Sequence, residues 1–168
     1  MIVLMAGLPG TGKTTLAREL ARRTSGRVLS KDVIRHALFS VGEIEYSSQQ
    51  DDFCSHVMLE TARYFLQRDQ RRVVFLDGRP FSRRYQIDNV VNGAASLNQS
   101  WRILECVCAE ETVRHRLANL AAHPAGNRDF QLYLEVRSRF EVITLPKTVI
   151  DTDGSMEDCV GRALLALR

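Results

Sequence analysis

The sequence has few of the features that mark membrane or secreted proteins. No apolar run in its 168 residues approaches the roughly 18 residues that a membrane-spanning helix needs. The apolar N-terminus has no positively charged segment and too short an apolar core for a signal peptide. Only four cysteines are present, too few for a disulfide framework in a chain this long, so we expect buried free thiols. These absences predict a cytoplasmic protein with no membrane partner.

Lysine is also scarce. Only three of the 23 basic residues are lysines, and with 20 acidic residues the net charge is +3. Arginine suits phosphate recognition, because a guanidinium binds phosphate through two hydrogen bonds, but a compositional bias of the source genome would produce the same excess. The arginines are scattered and do not indicate a nucleic-acid-binding stripe. The length and the 45% hydrophobic content predict one globular domain over residues 1–168.

Apolar runs alternate with helical patterns from end to end, which is typical of a parallel α/β sheet. The predicted strands are residues 2–6, 27–30, 73–76, 102–107 and 148–150. The predicted helices are residues 13–24, 32–39, 53–68, 83–95, 110–120, 130–142 and 155–167. A polar stretch over residues 40–52 interrupts the alternation. We therefore expect a three-layer α/β fold in which helices flank a five-stranded, mostly parallel sheet.

Residues 7–14 read Gly-Leu-Pro-Gly-Thr-Gly-Lys-Thr and match the phosphate-binding loop (P-loop) pattern G-x-x-x-x-G-K-[ST] at every fixed position. An apolar strand precedes the motif and an amphipathic helix follows it, as this loop requires. The glycines allow close backbone approach, and the loop N–H groups converge on the phosphates. Lys13 is expected to reach the β- and γ-phosphates, and the Thr14 hydroxyl to bind Mg²⁺. The predicted nucleotide-binding residues are Gly7, Leu8, Pro9, Gly10, Thr11, Gly12, Lys13, Thr14 and Thr15.

The motif predicts a nucleoside triphosphate ligand but not a reaction, since several classes of protein use this loop. Guanine-specific switches read the base with Asn-Lys-x-Asp, and no asparagine here precedes a lysine. Transport ATPases and ring-forming motor ATPases need more chain than follows the loop. A small phosphotransferase that uses ATP and Mg²⁺ is the class that remains.

Asp32 and Arg35 follow the second predicted strand, where the carboxyl ends of the strands border a ligand crevice. An aspartate there can accept a proton from an acceptor hydroxyl, so Asp32 is a candidate catalytic base. Arg35 is three residues further on the same helical face and can hold an anionic group of the acceptor. The alternative is that Asp32 only caps the helix or occupies its first turn.

Asp77 ends an apolar strand, a pattern that holds Mg²⁺, often through water. Thr14 and Asp77 are therefore the predicted metal ligands, although Asp77 could instead only cap the turn at Gly78. Arg79 follows at the edge of the crevice, where it can reach substrate or phosphate.

Residues 114–130 have the order helix, breaker-rich loop, helix, which suits a lid that excludes water and supplies an arginine to the transferring phosphoryl group. Arg128 is the first candidate for that arginine, and Arg116 is the second. A surface loop with an exposed arginine is the alternative.

The P-loop, residues 31–35 (Lys-Asp-Val-Ile-Arg) and residues 73–77 together resemble the small, nucleoside-kinase-like P-loop kinases with a late arginine lid. That group includes polynucleotide kinases, chloramphenicol phosphotransferase, gluconate kinases, adenylylsulfate kinases and the zeta-toxin type. The resemblance implies Asp32 as the base and Arg35 as a residue that binds substrate phosphate. Together with the candidates above, the predicted catalytic residues are Lys13, Asp32 and Arg128, and the predicted substrate-binding residues are Asp32, Arg35 and Arg79.

Three functions remain open on the sequence. The first is ATP-dependent transfer to an alcohol hydroxyl of a small molecule. The second is a 5′-hydroxyl kinase acting on RNA or DNA, and the third is a non-catalytic ATP-binding switch. Neither the acceptor nor the oligomeric state can be identified from the residues.

Overall fold

A computed structural model describes residues 1–119 and 129–168 of the chain. Its five strands are β1 (Ile2–Ala6), β2 (Arg27–Ser30), β3 (Val74–Asp77), β4 (Trp101–Val107) and β5 (Thr148–Asp151). They form one sheet in the order β2-β3-β1-β4-β5, and every neighbouring pair is parallel. In the register of the sheet, Ile2 lies opposite Val74 on one side and Trp101 on the other. The predicted α/β class and five-stranded parallel sheet are confirmed.

In the described residues, seven helices accompany the sheet: α1 (Lys13–Thr24), α2 (Lys31–Leu38), α3 (Ser48–Arg68), α4 (Arg84–Ser96), α5 (Glu110–Ala118), α6 (Phe130–Ser138) and α7 (Met156–Ala166). A short 3-10 helix over Val41–Glu43 connects α2 to α3. Within residues 1–119 and 129–168, no helix combines the length and the apolar character needed to cross a membrane. The cytoplasmic location stays a prediction.

The central strand β1 is buried along its whole length, because helices cover both faces of the sheet. Successive side chains of a strand point to opposite faces, so β1 contributes to two apolar cores. Ile2 and Leu4 pack with α3 and α4, whereas Val3 and Met5 pack with α1 and α7. The cores fix the carboxyl ends of β1 and β3 side by side, and a hydrogen bond of 3.0 Å from the Gly7 amide to the Pro80 carbonyl joins the loops that follow them.

The four cysteines are free thiols, as expected, and Cys54, Cys106 and Cys159 are buried. Burial raises the pKa of the Cys106 thiol to about 12, so this side chain stays neutral in the core.

The strand limits agree with the prediction to within one residue and most helix limits to within two, but two helix limits were wrong by four or five residues. Helix α3 begins at Ser48, five residues before the predicted start, because the Ser47 hydroxyl accepts a hydrogen bond of 3.2 Å from the Gln50 amide and caps the helix. Its first turn is polar and carries no apolar periodicity. Helix α6 ends at Ser138, since the chain then turns away and the Glu141 amide donates to the Ser82 carbonyl at 2.9 Å.

Candidate active site

The backbone of the P-loop needs glycine at specific positions. Gly7, Gly10 and Gly12 have φ angles of 126°, 80° and 81°, which side chains rarely adopt. A Cβ on Gly7 would lie 2.3 Å from the carbonyl oxygen of Cys106 on β4. The loop therefore packs directly against the neighbouring strand, and its conformation depends on the absence of a side chain.

The P-loop leads into the N-terminus of α1, which begins at Lys13. Gly12 is the N-cap residue, and no side chain caps this end of α1 in the part of the chain that the structure describes. The Lys13 ammonium, which is buried, donates to the Leu8 carbonyl at 2.6 Å. Free helix N–H groups beside a buried cation form an anion site, so the loop has the geometry for a polyphosphate.

Thr14 and Asp77 meet at the base of the loop. The Thr14 hydroxyl donates to Asp77 Oδ2 at 2.8 Å, and Asp77 is the last residue of β3. Oδ1 of Asp77 is buried and has no hydrogen-bond partner among the described residues. A hydroxyl and an orphaned carboxylate oxygen fit the hard-ligand preference of Mg²⁺. No group of three or more His, Cys, Asp or Glu side chains that could hold a metal occurs in residues 1–119 and 129–168, so Mg²⁺ here would take its other ligands from phosphate and water.

Asp32 lies in the first turn of α2 and is 3% exposed. The cap of this helix is Ser30, whose hydroxyl accepts from the Val33 amide at 3.5 Å. Asp32 Oδ1 instead accepts a hydrogen bond of 3.1 Å from Arg35 Nη1, within a single turn of the helix. The capping role that was the alternative for Asp32 therefore belongs to Ser30.

Sequence reasoning missed the partners of Arg35, which lie in the first turn of α3. Arg35 is 1% exposed; its Nε donates to Gln50 Oε1 at 3.1 Å, and its Nη2 forms an ion pair with Asp51. Asp51 also accepts from Lys31 Nζ at 2.7 Å. Burial lowers the pKa of Lys31, while the charges of Asp51 and Asp32 oppose that shift. The signal that points to this turn is Ser47 as a helix cap, three residues before Gln50.

Arg79 is held in the same way by residues that the sequence did not single out. Its guanidinium is ion-paired with Asp52 and donates to Ser55 Oγ at 2.7 Å and to the Tyr85 hydroxyl at 3.3 Å. Its Nε atom is buried without a hydrogen-bond partner in the described residues. The first two turns of α3 thus fix the predicted substrate arginines.

A cavity of about 510 Å³ connects the P-loop to α2. The cavity brings together Lys13, Asp32, Arg35 and Arg79 from the predicted site. The other walls include Tyr46 before α3, Tyr85 and Gln86 of α4, Leu132 and Val136 of α6, and Arg139 and Glu141 beyond it. Lys13 and Asp32 line one continuous space, in which a phosphoryl group and an acceptor can be adjacent.

The two arginine candidates of the predicted lid have different outcomes. Arg128 lies outside the described residues. Arg116 on α5 donates through Nη1 to the Thr152 hydroxyl at 3.0 Å and through Nη2 to the Thr152 carbonyl at 2.7 Å. Its Nη1 is 3.5 Å from the position that a Cβ on Gly12 would take. Arg116 therefore lies beside the P-loop, on the nucleotide side of the site.

The helices α5 and α6, which flank the predicted lid loop, contact each other through a cation–π pair and an ion pair. The Arg114 guanidinium lies 3.7 Å from the centre of the Phe130 ring, and Arg137 forms an ion pair with Glu110.

Comparison with solved structures finds small kinases with the same fold. A sugar kinase from Janibacter sp. HTCC2649 has a TM-score of 0.75 and 19% identity, and the match covers 99% of this chain and 93% of that chain. A gluconokinase from Sinorhizobium meliloti 1021 has a TM-score of 0.72 and 15% identity, with 99% and 90% covered. The Mycobacterium tuberculosis APS kinase CysC, in complex with AMPPNP and APS, has a TM-score of 0.74 and 16% identity, with 99% and 96% covered. The TM-scores show that the fold is shared, and at these low identities the likeness shows the fold alone.

A search of curated proteins gave no significant match. A family model described as an AAA domain matches residues 2–142, which include the P-loop, Asp32, Asp77 and most of the cavity. Because the match spans well over half of the sequence, the chain belongs to this AAA domain family and has the fold of the small P-loop kinases.

Proposed function

We propose that the protein is an ATP- and Mg²⁺-dependent phosphotransferase that transfers the γ-phosphate to an alcohol hydroxyl of a small-molecule acceptor. The observation that carries the proposal is the cavity that Lys13 and Asp32 both line. A phosphate cradle and a buried carboxylate in one space are the two groups that a kinase needs.

The nucleotide side of the site holds the phosphates. The amides of the P-loop and of the α1 N-terminus bind the phosphate oxygens, and Lys13 moves from the Leu8 carbonyl to the β- and γ-phosphates. Thr14 and Asp77 are the residues that would hold Mg²⁺, which shields the charge of the phosphate oxygens when it is bound. These groups stabilise charge rather than form bonds, so positioning supplies most of the rate.

The acceptor side provides the base. The Asp32 carboxylate accepts the hydroxyl proton as the acceptor oxygen forms its bond to the γ-phosphorus and the bond to the leaving ADP oxygen breaks. Arg35 holds this carboxylate in place, and its own position is fixed by Gln50 and Asp51. Arg79 lines the acceptor end of the cavity and is fixed by α3. Arg128 is proposed to cover the transferred group.

The comparisons support a small hydroxyl-bearing acceptor. Two of the similar structures are described as a sugar kinase and a gluconokinase. The cavity volume of about 510 Å³ is within the range of ordinary small-molecule sites.

The test is transfer of label from γ-labelled ATP, with Mg²⁺, to two acceptor pools assayed side by side. One pool holds sugars, sugar acids, nucleosides and aminoglycosides; the other holds 5′-hydroxyl DNA and RNA oligonucleotides. We expect label in the small-molecule pool. Label on the oligonucleotides would establish the polynucleotide kinase instead. Stabilisation of the fold by ATP without transfer to either pool would favour the non-catalytic switch.

A further inference from the structure

The charged groups on the floor of the cavity compensate one another. Lys31 and Arg35 share the carboxylates of Asp32 and Asp51, and Arg79 is ion-paired with Asp52. Three buried cations therefore face three carboxylates. Buried charges require partners of opposite sign, so the floor has no charge left to attract an ionic substrate.

The rim of the cavity has an excess of one positive charge. Arg83 is ion-paired there with Glu141 at 2.9 Å. Arg139 also lines the cavity, and its guanidinium is exposed and forms no hydrogen bond or ion pair with the residues that the structure describes. Among the four arginines that line the cavity, Arg139 is thus the one without a carboxylate partner in the described part of the chain.

The position of Arg139 is set by helix α6. Leu132, Val136 and Arg139 are spaced i, i+4 and i+7, so they lie on one face of the helical segment, and all three line the cavity. Tyr133 and Val136 are buried, which fixes the rotation of α6 about its axis. An acceptor that reaches Arg139 would pass an apolar surface made by Leu132 and Val136.

On these grounds we infer that the acceptor is a hydroxy acid, whose carboxylate binds Arg139 while its hydroxyl faces Asp32. This inference rests on the proposed function and names the substrate class of the same site. A single uncompensated charge matches one carboxylate, and the guanidinium fork matches its two oxygens. The sequence analysis predicted that Arg35 binds the anionic group of the acceptor. However, Arg35 is 1% exposed and already contacts Asp32, Gln50 and Asp51, so Arg139 is the better candidate.

Arg139 has a competing structural role at the end of α6. It is the C-cap residue, and a cation near a helix C-terminus stabilises the helix dipole. That role predicts an effect on stability alone. A role in binding predicts a change in acceptor affinity that depends on the carboxylate.

The experiment measures binding of matched acceptors to protein loaded with Mg²⁺ and a non-hydrolysable ATP analogue. The pairs are D-gluconate against D-glucitol and D-glycerate against glycerol, which differ only at the carboxylate carbon; glycerol 3-phosphate is a separate arm. For wild type, we expect whichever of gluconate and glycerate binds more tightly to bind about tenfold more tightly than its neutral partner. This is the difference that one charge-assisted contact provides. Arg139→Ala should abolish this preference, and Arg139→Lys should restore part of it. Arg137→Ala is the control, since Arg137 is an exposed arginine of α6 that does not line the cavity.

Equal binding within each pair, or no binding of either member, would overturn the inference. A preference for the carboxylate that survives Arg139→Ala would also overturn it. Tight binding of glycerol 3-phosphate alone would overturn it as well, because the anionic group of the acceptor would then be a phosphate. Label transfer from ATP to the same compounds separates this result from the proposed function. If label is transferred to glucitol as efficiently as to gluconate, the protein is a kinase but its acceptor is not specifically a hydroxy acid. If the carboxylates bind and no label is transferred, the proposed kinase activity is wrong and only the anion-binding role of Arg139 remains.

Discussion

The P-loop and the cavity beside it are built in opposite ways. The loop is one run of nine residues, and its geometry comes from glycine φ angles and the start of α1. The cavity draws most of its side chains from α2, α3, the segment after β3 and α6, which are far apart in the sequence. A site made by local backbone is encoded in a local motif, whereas a site made by ion pairs between helices exists only after the chain has folded.

The largest effect on ATP binding is expected at the nucleotide side. Lys13→Ala removes the cation proposed to hold the β- and γ-phosphates, so we expect transfer to fall by about 10²–10³-fold and ATP affinity to fall with it. Titration with ATP and steady-state transfer to an identified acceptor measure the two effects. Unchanged ATP affinity would show that Lys13 serves only to close the loop onto the Leu8 carbonyl.

On the acceptor side, loss of one carboxylate should change the stability of the protein. Asp51→Asn leaves Lys31 and Arg35 with a weaker partner in a largely buried site. We expect the free energy of unfolding in denaturant to fall by about 2 kcal/mol. Asp88→Asn is the matched control, because its ion pair with Arg84 is exposed and should contribute at most about 0.5 kcal/mol. Equal effects of the two substitutions would contradict the account of the cavity floor.

Thr14 tests the metal assignment. Thr14→Val keeps the shape of the side chain but removes the hydroxyl that contacts Asp77. We expect the Mg²⁺ concentration for half-maximal transfer to rise about 10–100-fold, and Thr14→Ser to restore it. A Mg²⁺ requirement that is unaffected by Thr14→Val would place the metal elsewhere.

The smallest effect should come from a glycine that has no role in the site. Gly161 lies within α7, and a Cβ there would meet nothing within 4 Å. Gly161→Ala should raise the free energy of unfolding by about 0.5–1 kcal/mol, since alanine favours the helix. Thermal or denaturant unfolding measures the change. A loss of stability would mean that α7 is packed differently at this position.

Most of the fold could be predicted from the sequence, because its strands are apolar runs and its helices have clear periodicity. The start of α1 follows from the P-loop, and α2 begins one residue before its predicted start because Ser30, rather than Asp32, caps it. The start of α3 was missed because its first turn is polar, and that turn holds Gln50, Asp51 and Asp52. The sequence pattern contains no information on pairs such as Arg35 with Asp51, which depend on how α2 packs against α3.

The candidate site shows the same difference between residues in a local motif and residues that only the folded chain brings together. The P-loop residues could be predicted from their motif. Thr14 and Asp77 were assigned to one metal site, and the structure brings them into contact because β1 and β3 are neighbours in the sheet. Arg139 could not be predicted, because its place in the cavity depends on where α6 ends and on which of its faces is buried.

In the proposed function, nucleotide binding and acceptor activation belong to separate parts of one cavity, and Asp32→Asn is the sharpest test of that separation. The substitution keeps the size of the side chain and removes the base, while the P-loop is untouched. We measure ATP affinity and label transfer on the same preparation. We expect transfer to fall by about 10²–10⁴-fold while ATP affinity stays within about threefold of wild type. Loss of ATP binding, or transfer at the wild-type rate, would contradict the role of Asp32 as the base.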